Sequence, residues 1–211
     1  MANANKPMGL APVKYLNGAN WDGRGNMYYI DSTDTNAYFI GDPVMLRAGL
    51  DTKYGIQSVT RATAGSNPIL GVILAVGTNP QGGPFIDPTN LTLVTAPATK
   101  TKSYYVLVAD DPMIVYEIQE GGSTYTSSST ALTSTATNKN GQFYYATPAT
   151  GAAYSAVALD VSTGVATTAT LQLKLLGVAQ RADNAPFTVY QKWLVKINNH
   201  PYAAGTGTLG Y

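Results

Sequence analysis

The chain has 211 residues, no cysteine, a formal net charge of +1 and a charged-residue share of 12%. That share is about half of the roughly 25% usual for soluble domains, and no run of Lys and Arg marks a nucleic-acid or membrane footprint. The absence of cysteine excludes disulfides and thiolate-ligated metals.

A chain of this length can bury a sizeable core as one large β domain, with or without a smaller lobe. A surface so poor in charge must be covered by Thr, Ser, Asn, Gly and Tyr, or by another protein. The chain holds 15 Tyr but only 4 Phe. A tyrosine ring buries its body and keeps a polar tip, which suits a wet contact surface. The first residues carry no apolar run of signal-peptide type. No run reaches the roughly 18 apolar residues of a membrane helix. A soluble product made in the cytoplasm is therefore expected.

Residues 1–25 are rich in Asn, Gly and Pro and read as an extended N-terminal arm. A disordered tail is the alternative, against which Tyr15 and Trp21 argue, because large aromatics on an arm usually dock. From residue 27 the strand signals are dense, at 27–30, 37–40, 44–46, 56–60 and 69–76. Residues 78–84 hold two Pro and two Gly and form a loop. Residues 91–95 alternate as a strand.

Residues 102–120 contain two apolar, β-prone runs joined at Asp110-Asp111-Pro112, and read as a central hairpin. Asp before Pro starts turns by bonding its own backbone. The segment carries four carboxylates, Asp110, Asp111, Glu117 and Glu120. Strand alternation puts Glu117 with Val115 and Gln119, opposite Ile114, Tyr116 and Ile118, and leaves Glu120 at the strand end. A shared calcium site would need six or more converging oxygens, so turn chemistry and alternation account for the four better than a metal does.

Residues 121–142 form a Ser/Thr-rich insertion with little apolar surface, expected on the exterior. Strands follow at 143–145, 156–160, 168–177 and 188–197. In the last, Val189, Gln191, Trp193, Val195 and Ile197 share one face, with Trp193 in the core. Residues 201–211 form a loose tail. No helix of ten or more residues is expected, since Pro, Gly and β-branched residues interrupt every candidate. The fold class is all-β, a sandwich or barrel with a core over 26–200.

His200 is the single histidine. No second His and no Cys can complete a zinc site, and no Gly-x-Ser-x-Gly elbow accompanies it. A turn or interface role is expected. The glycines form no phosphate-binding loop. Asn90-Leu91-Thr92 matches a glycosylation acceptor, which carries no weight without a secretory signal. No catalytic residue, cofactor or metal is assigned.

Several blocks, taken in order, resemble the capsid decoration (cement) proteins of tailed bacteriophages. They are Ala4-Asn-Lys-Pro-Met-Gly-Leu-Ala-Pro-Val-Lys14, Tyr28-Tyr-Ile30, Ala37-Tyr-Phe-Ile-Gly-Asp-Pro-Val44 and Ile69-Leu-Gly-Val72. Then come Tyr105-Val-Leu-Val-Ala-Asp-Asp-Pro112, Tyr116-Glu-Ile-Gln-Glu120 and Leu176-Gly-Val-Ala-Gln-Arg-Ala-Asp-Asn184. Trp193-Leu-Val-Lys-Ile-Asn-Asn-His200 and Gly205-Thr-Gly207 close the series. Residues 121–148 fit least. The resemblance implies a jelly-roll-like, non-enzymatic virion protein on the outer face of the capsid. Its partners would be the major capsid protein and copies of itself, as dimer or trimer, and neither nucleic acid nor membrane. Tyr15, Trp21, Tyr202 and Tyr211 are the expected capsid or oligomer contacts. A head-fibre or carbohydrate-binding host-recognition domain, displaying the 121–141 loop, is the alternative. A hydrolase using His200 is a third reading.

Overall fold

A computed structural model describes residues 3–65, 67–77, 95–203 and 207. The chain is all-β, as expected. In order the strands are β1 (Ala11–Tyr15), β2 (Asn26–Ile30), β3 (Tyr38–Phe39), β4 (Pro43–Leu50) and β5 (Gln57–Arg61). Next come β6 (Gly71–Gly77), β7 (Thr95–Ala96), β8 (Tyr104–Ala109) and β9 (Ile114–Gly121). The last are β10 (Asn140–Gly141), β11 (Phe143–Tyr145), β12 (Val157–Asp160), β13 (Leu173–Val178) and β14 (Lys192–Ile197). A 3-10 turn at Ser134–Ala136 is the only helical element among the described residues.

Two bodies result. Strands β2, β5, β4, β6 and β8 close into a small barrel, and β3 pairs with β7 beside it. The closing step is thin: β2 meets β5 through one parallel pair, Tyr29 with Ser58. Register shifts in β4 and β6 let these strands coil around the axis. The barrel encloses Tyr28, Ile30, Val44, Val59, Ile73, Val106 and Val108, the inward members of alternating β-branched and aromatic strands. The second body is a seven-stranded sheet, ordered β10, β13, β14, β9, β12 and β11, with β1 also on β9. Its core holds Trp193, Tyr116, Phe143, Ile118 and Leu159, and extends into Ile69, Val72 and Ala109 of the barrel side.

The segment 102–120 is not a hairpin. Strand β8 pairs with β2 and β6 in the barrel, while β9 pairs with β1, β14 and β12 in the sheet. Both edges of each strand are taken by other partners, so the chain turns a corner between bodies. The turn chemistry still operates, because Asp111 Oδ1 accepts the Met113 N–H at 2.7 Å. The corner is pinned from the far side by the Tyr116 hydroxyl, which donates to the Ala109 carbonyl at 3.0 Å.

The N-terminal segment is docked. Residues 3–10 have no regular structure, but Ala11–Tyr15 enters the sheet against β9, pairing Ala11 with Glu117 and Tyr15 with Ile114. Ahead of it, the Asn3 side chain bonds the Ala185 and Val189 backbone, and the Lys6 N–H donates to Gln119 Oε1 at 2.9 Å. Gly9 (φ +75°) and Gly41 (φ +93°) meet back to back, so that a Cβ on either would strike the other segment's backbone. That close approach lets the Leu10 N–H reach the Gly41 carbonyl at 3.0 Å and buries Leu10.

Two further strands are shorter than their alternation predicts. In 188–197 the ladder starts at Lys192, because Phe187 and Tyr190 adopt positive φ. The Gln191 side chain accepts the Phe187 N–H and its backbone N–H bonds the Thr188 carbonyl, which closes a turn where the alternation predicts a strand. In 168–177 the strand begins at Leu173, since Leu171 closes a turn on Thr168. The expected strand at 91–95 falls outside the described residues except for Thr95, as do the 78–84 loop and most of the tail.

Candidate functional site

The four carboxylates of 102–120 do not converge. Asp110 accepts Asn26 Nδ2 at 3.0 Å and the Tyr28 hydroxyl at 2.6 Å, at the barrel mouth. Burial and this bond to an anion push the Tyr28 hydroxyl well above its usual range. Asp111 caps its own turn. Glu117 pairs with Arg181 Nη1 at 3.1 Å on the outer face of the sheet. Glu120 is 1% exposed and looks into the core. Among the described residues, no group of three or more His, Asp or Glu side chains is placed to hold a metal ion.

Glu120 organises its surroundings. Its Oε1 accepts Trp193 Nε1 at 2.8 Å, Gln191 Nε2 at 2.7 Å and the Leu132 N–H at 3.1 Å. Its Oε2 accepts the Tyr125 hydroxyl at 2.6 Å. Burial raises its carboxyl above the ordinary range, against the four donors that favour the charged form. Sequence reading placed Glu120 at a strand end and the Ser/Thr-rich segment on the exterior. That segment is mostly exposed, yet Tyr125 and Leu132 reach from it to Glu120, and Ala136 is buried.

Beside Glu120 lies a cleft of about 470 Å³. Tyr125, Tyr144, Tyr154 and Tyr190 line it with Lys6 and several alanines. The Tyr125 and Tyr190 rings meet edge to face, with centroids 5.5 Å apart. These tyrosines were not singled out from sequence, because they lie on separate segments and belong to no motif. The excess of Tyr over Phe was the signal pointing to them.

The expected contact residues are spread out. Tyr15 and Trp21 pack their rings, partly buried, against the sheet core. The Tyr15 hydroxyl donates to Asp22 Oδ1 at 3.1 Å. Tyr202 is 56% exposed and stands against His200, ring centroids 5.8 Å apart, with its hydroxyl 3.5 Å from that of Tyr28. Tyr211 lies outside the described residues. His200 is buried, and its Nδ1 accepts the Tyr202 N–H at 3.0 Å. Burial lowers its pKa below the ordinary 6.5, so the neutral ring is favoured.

Beside β1, the side chains of Val13, Leu16 and Met113 are exposed. Leu16 and Met113 are neighbours through the Leu16 N–H to Met113 carbonyl bond at 2.8 Å. Comparison with known proteins gives no match: no family model, no curated protein and no solved structure is similar to this chain.

Proposed function

We propose that the chain is a structural virion protein that binds the outer surface of a phage capsid and cements major capsid protein subunits. The ordered blocks described from sequence support this reading. The observation that carries it on the molecule is the set of exposed apolar side chains around β1, where Val13, Leu16 and Met113 face solvent on a chain otherwise poor in charge. Exposed apolar side chains on such a chain mark a contact surface. A protein that binds only the assembled shell stabilises that shell by mass action.

The test uses particles assembled with and without the chain. Particles lacking it should break at lower temperature or milder osmotic shock, and adding purified protein should restore them. Val13→Asp with Leu16→Asp should abolish that restoration while the variant stays folded. Equal particle stability with and without the chain would sink the cement role.

A further inference from the structure

We infer that the cleft beside Glu120 is a binding site for a neutral carbohydrate. Its volume, about 470 Å³, lies in the range of roughly 300–1,000 Å³ that small ligands occupy. Four tyrosines from separate segments reach it. Ala146, Ala149, Ala152 and Ala153 share the lining, where Tyr125, Tyr144 and Tyr190 are half-buried and Tyr154 is exposed. Tyr154 is 56% exposed, and the Tyr125–Tyr190 contact fixes two rings at 84° to each other. Ring faces held in this way suit the apolar C–H face of a pyranose.

The polarity of the floor selects the ligand. The Tyr125 hydroxyl proton is committed to Glu120 Oε2 at 2.6 Å. Its outward lone pair is therefore an acceptor, strengthened by the charged partner behind it. Glu120 Oε1 is already filled by three N–H groups. The floor thus asks for a donor, such as a sugar hydroxyl, and the Glu120 carboxyl behind it disfavours an anion there, with Lys6 the basic residue of the lining that would offset this.

This inference does not rest on shell binding, and either can fail alone. The full chain would be titrated with maltose, lactose and chitobiose, and with 3′-sialyllactose as the charged match to lactose, using saturation-transfer NMR and calorimetry. At least one neutral disaccharide should bind saturably, with the signal carried by ring C–H protons. 3′-Sialyllactose should bind more weakly than lactose. Tyr144→Ala and Tyr154→Ala should each weaken binding by about tenfold, the scale of one lost stacking contact. Tyr125→Phe should weaken it while keeping the ring. Tyr54→Ala, on the exposed β4–β5 hairpin, should change nothing. No saturable binding to any of the sugars, or equal binding in the Tyr144 and Tyr154 variants, would overturn the site. So would self-association that buries Tyr154, or preferential binding of the charged sugar.

Discussion

In the barrel, three buried carboxylates hold their own turns through nearby backbone N–H groups, alongside longer side-chain bonds such as Tyr105 to Asp51 and Tyr28 to Asp110. Asp34 accepts the Asn36 N–H at 2.8 Å, Asp42 the Phe39 N–H at 3.0 Å, and Asp51 the N–H groups of Lys53 and Tyr54. In the sheet, buried polar side chains reach far along the sequence. Glu120 binds Trp193, 73 residues away; Gln172 binds Thr63, 109 away; Gln119 binds Ala4, 115 away. Local bonds shape one loop each, and losing one costs one turn. Long-range bonds align several segments at once, so losing one leaves donors stranded in several places.

The largest expected effect follows from that contrast. Glu120→Ala should cost about 3–5 kcal/mol, because the indole and amide donors lose a buried charged partner. Hydrogen exchange should show β9, β13 and β14 losing protection while β2, β6 and β8 keep theirs. Equal loss in both bodies would mean that they unfold as one unit, and the contrast would fall.

Next is a pH effect in the barrel. Burial pushes the Asp42 carboxyl up to about 6 from 3.8. The neutral form is therefore preferred in the fold. Its contribution is complete below pH 3.8 and is lost as pH rises through about 6. Asp42→Asn mimics the neutral acid and should stabilise the protein by about 2–3 kcal/mol at pH 8, with little effect at pH 3.5. Thermal melts at the two pH values read this directly, and an equal change at both would remove the titration argument.

His200, at the seam between the bodies, has the opposite sign. Its lowered pKa means stability is present above 6.5 and lost as pH falls below it. His200→Asn keeps an acceptor for the Tyr202 N–H and should flatten the acid limb of a stability profile; an unchanged limb would assign it to other groups. The smallest effect expected is from Tyr105→Phe. It removes one 3.2 Å bond to Asp51, worth about 1 kcal/mol, and should shift a denaturation midpoint without changing its slope.

The same contrast explains what was legible in the sequence. Barrel strands such as Asn26–Ile30 and Gln57–Arg61 announce themselves, because alternation and turn aspartates are local signals. The all-β class and the burial of Trp193 follow from such signals. The β8–β9 corner reads as a hairpin in the sequence because a turn motif reports that the chain bends and not which sheet receives it. The start of β14 is not legible because the alternation of 188–191 runs on into the strand, while the Gln191 side chain and positive φ at Tyr190 turn the backbone there. The cleft was invisible, since its tyrosines meet only through tertiary contacts. The Ser/Thr-rich insertion looked featureless because its value lies in two groups, Tyr125 and the Leu132 N–H, whose partner stands in another strand.

Residues 26–109 are a contiguous insertion between β1 and β9, which pair with each other. The joints of this insertion sit side by side, clasped by the Tyr15–Ile114 pair. Tension applied along the chain from its N-terminal side would therefore meet the Asn3, Lys6 and Leu10 bonds first and the β1–β9 clasp after them. The clasp would peel from the Ala11–Glu117 end, one pair at a time. Once the Leu10–Gly41 bond had parted, and until the clasp opened, the barrel would hang off the load path.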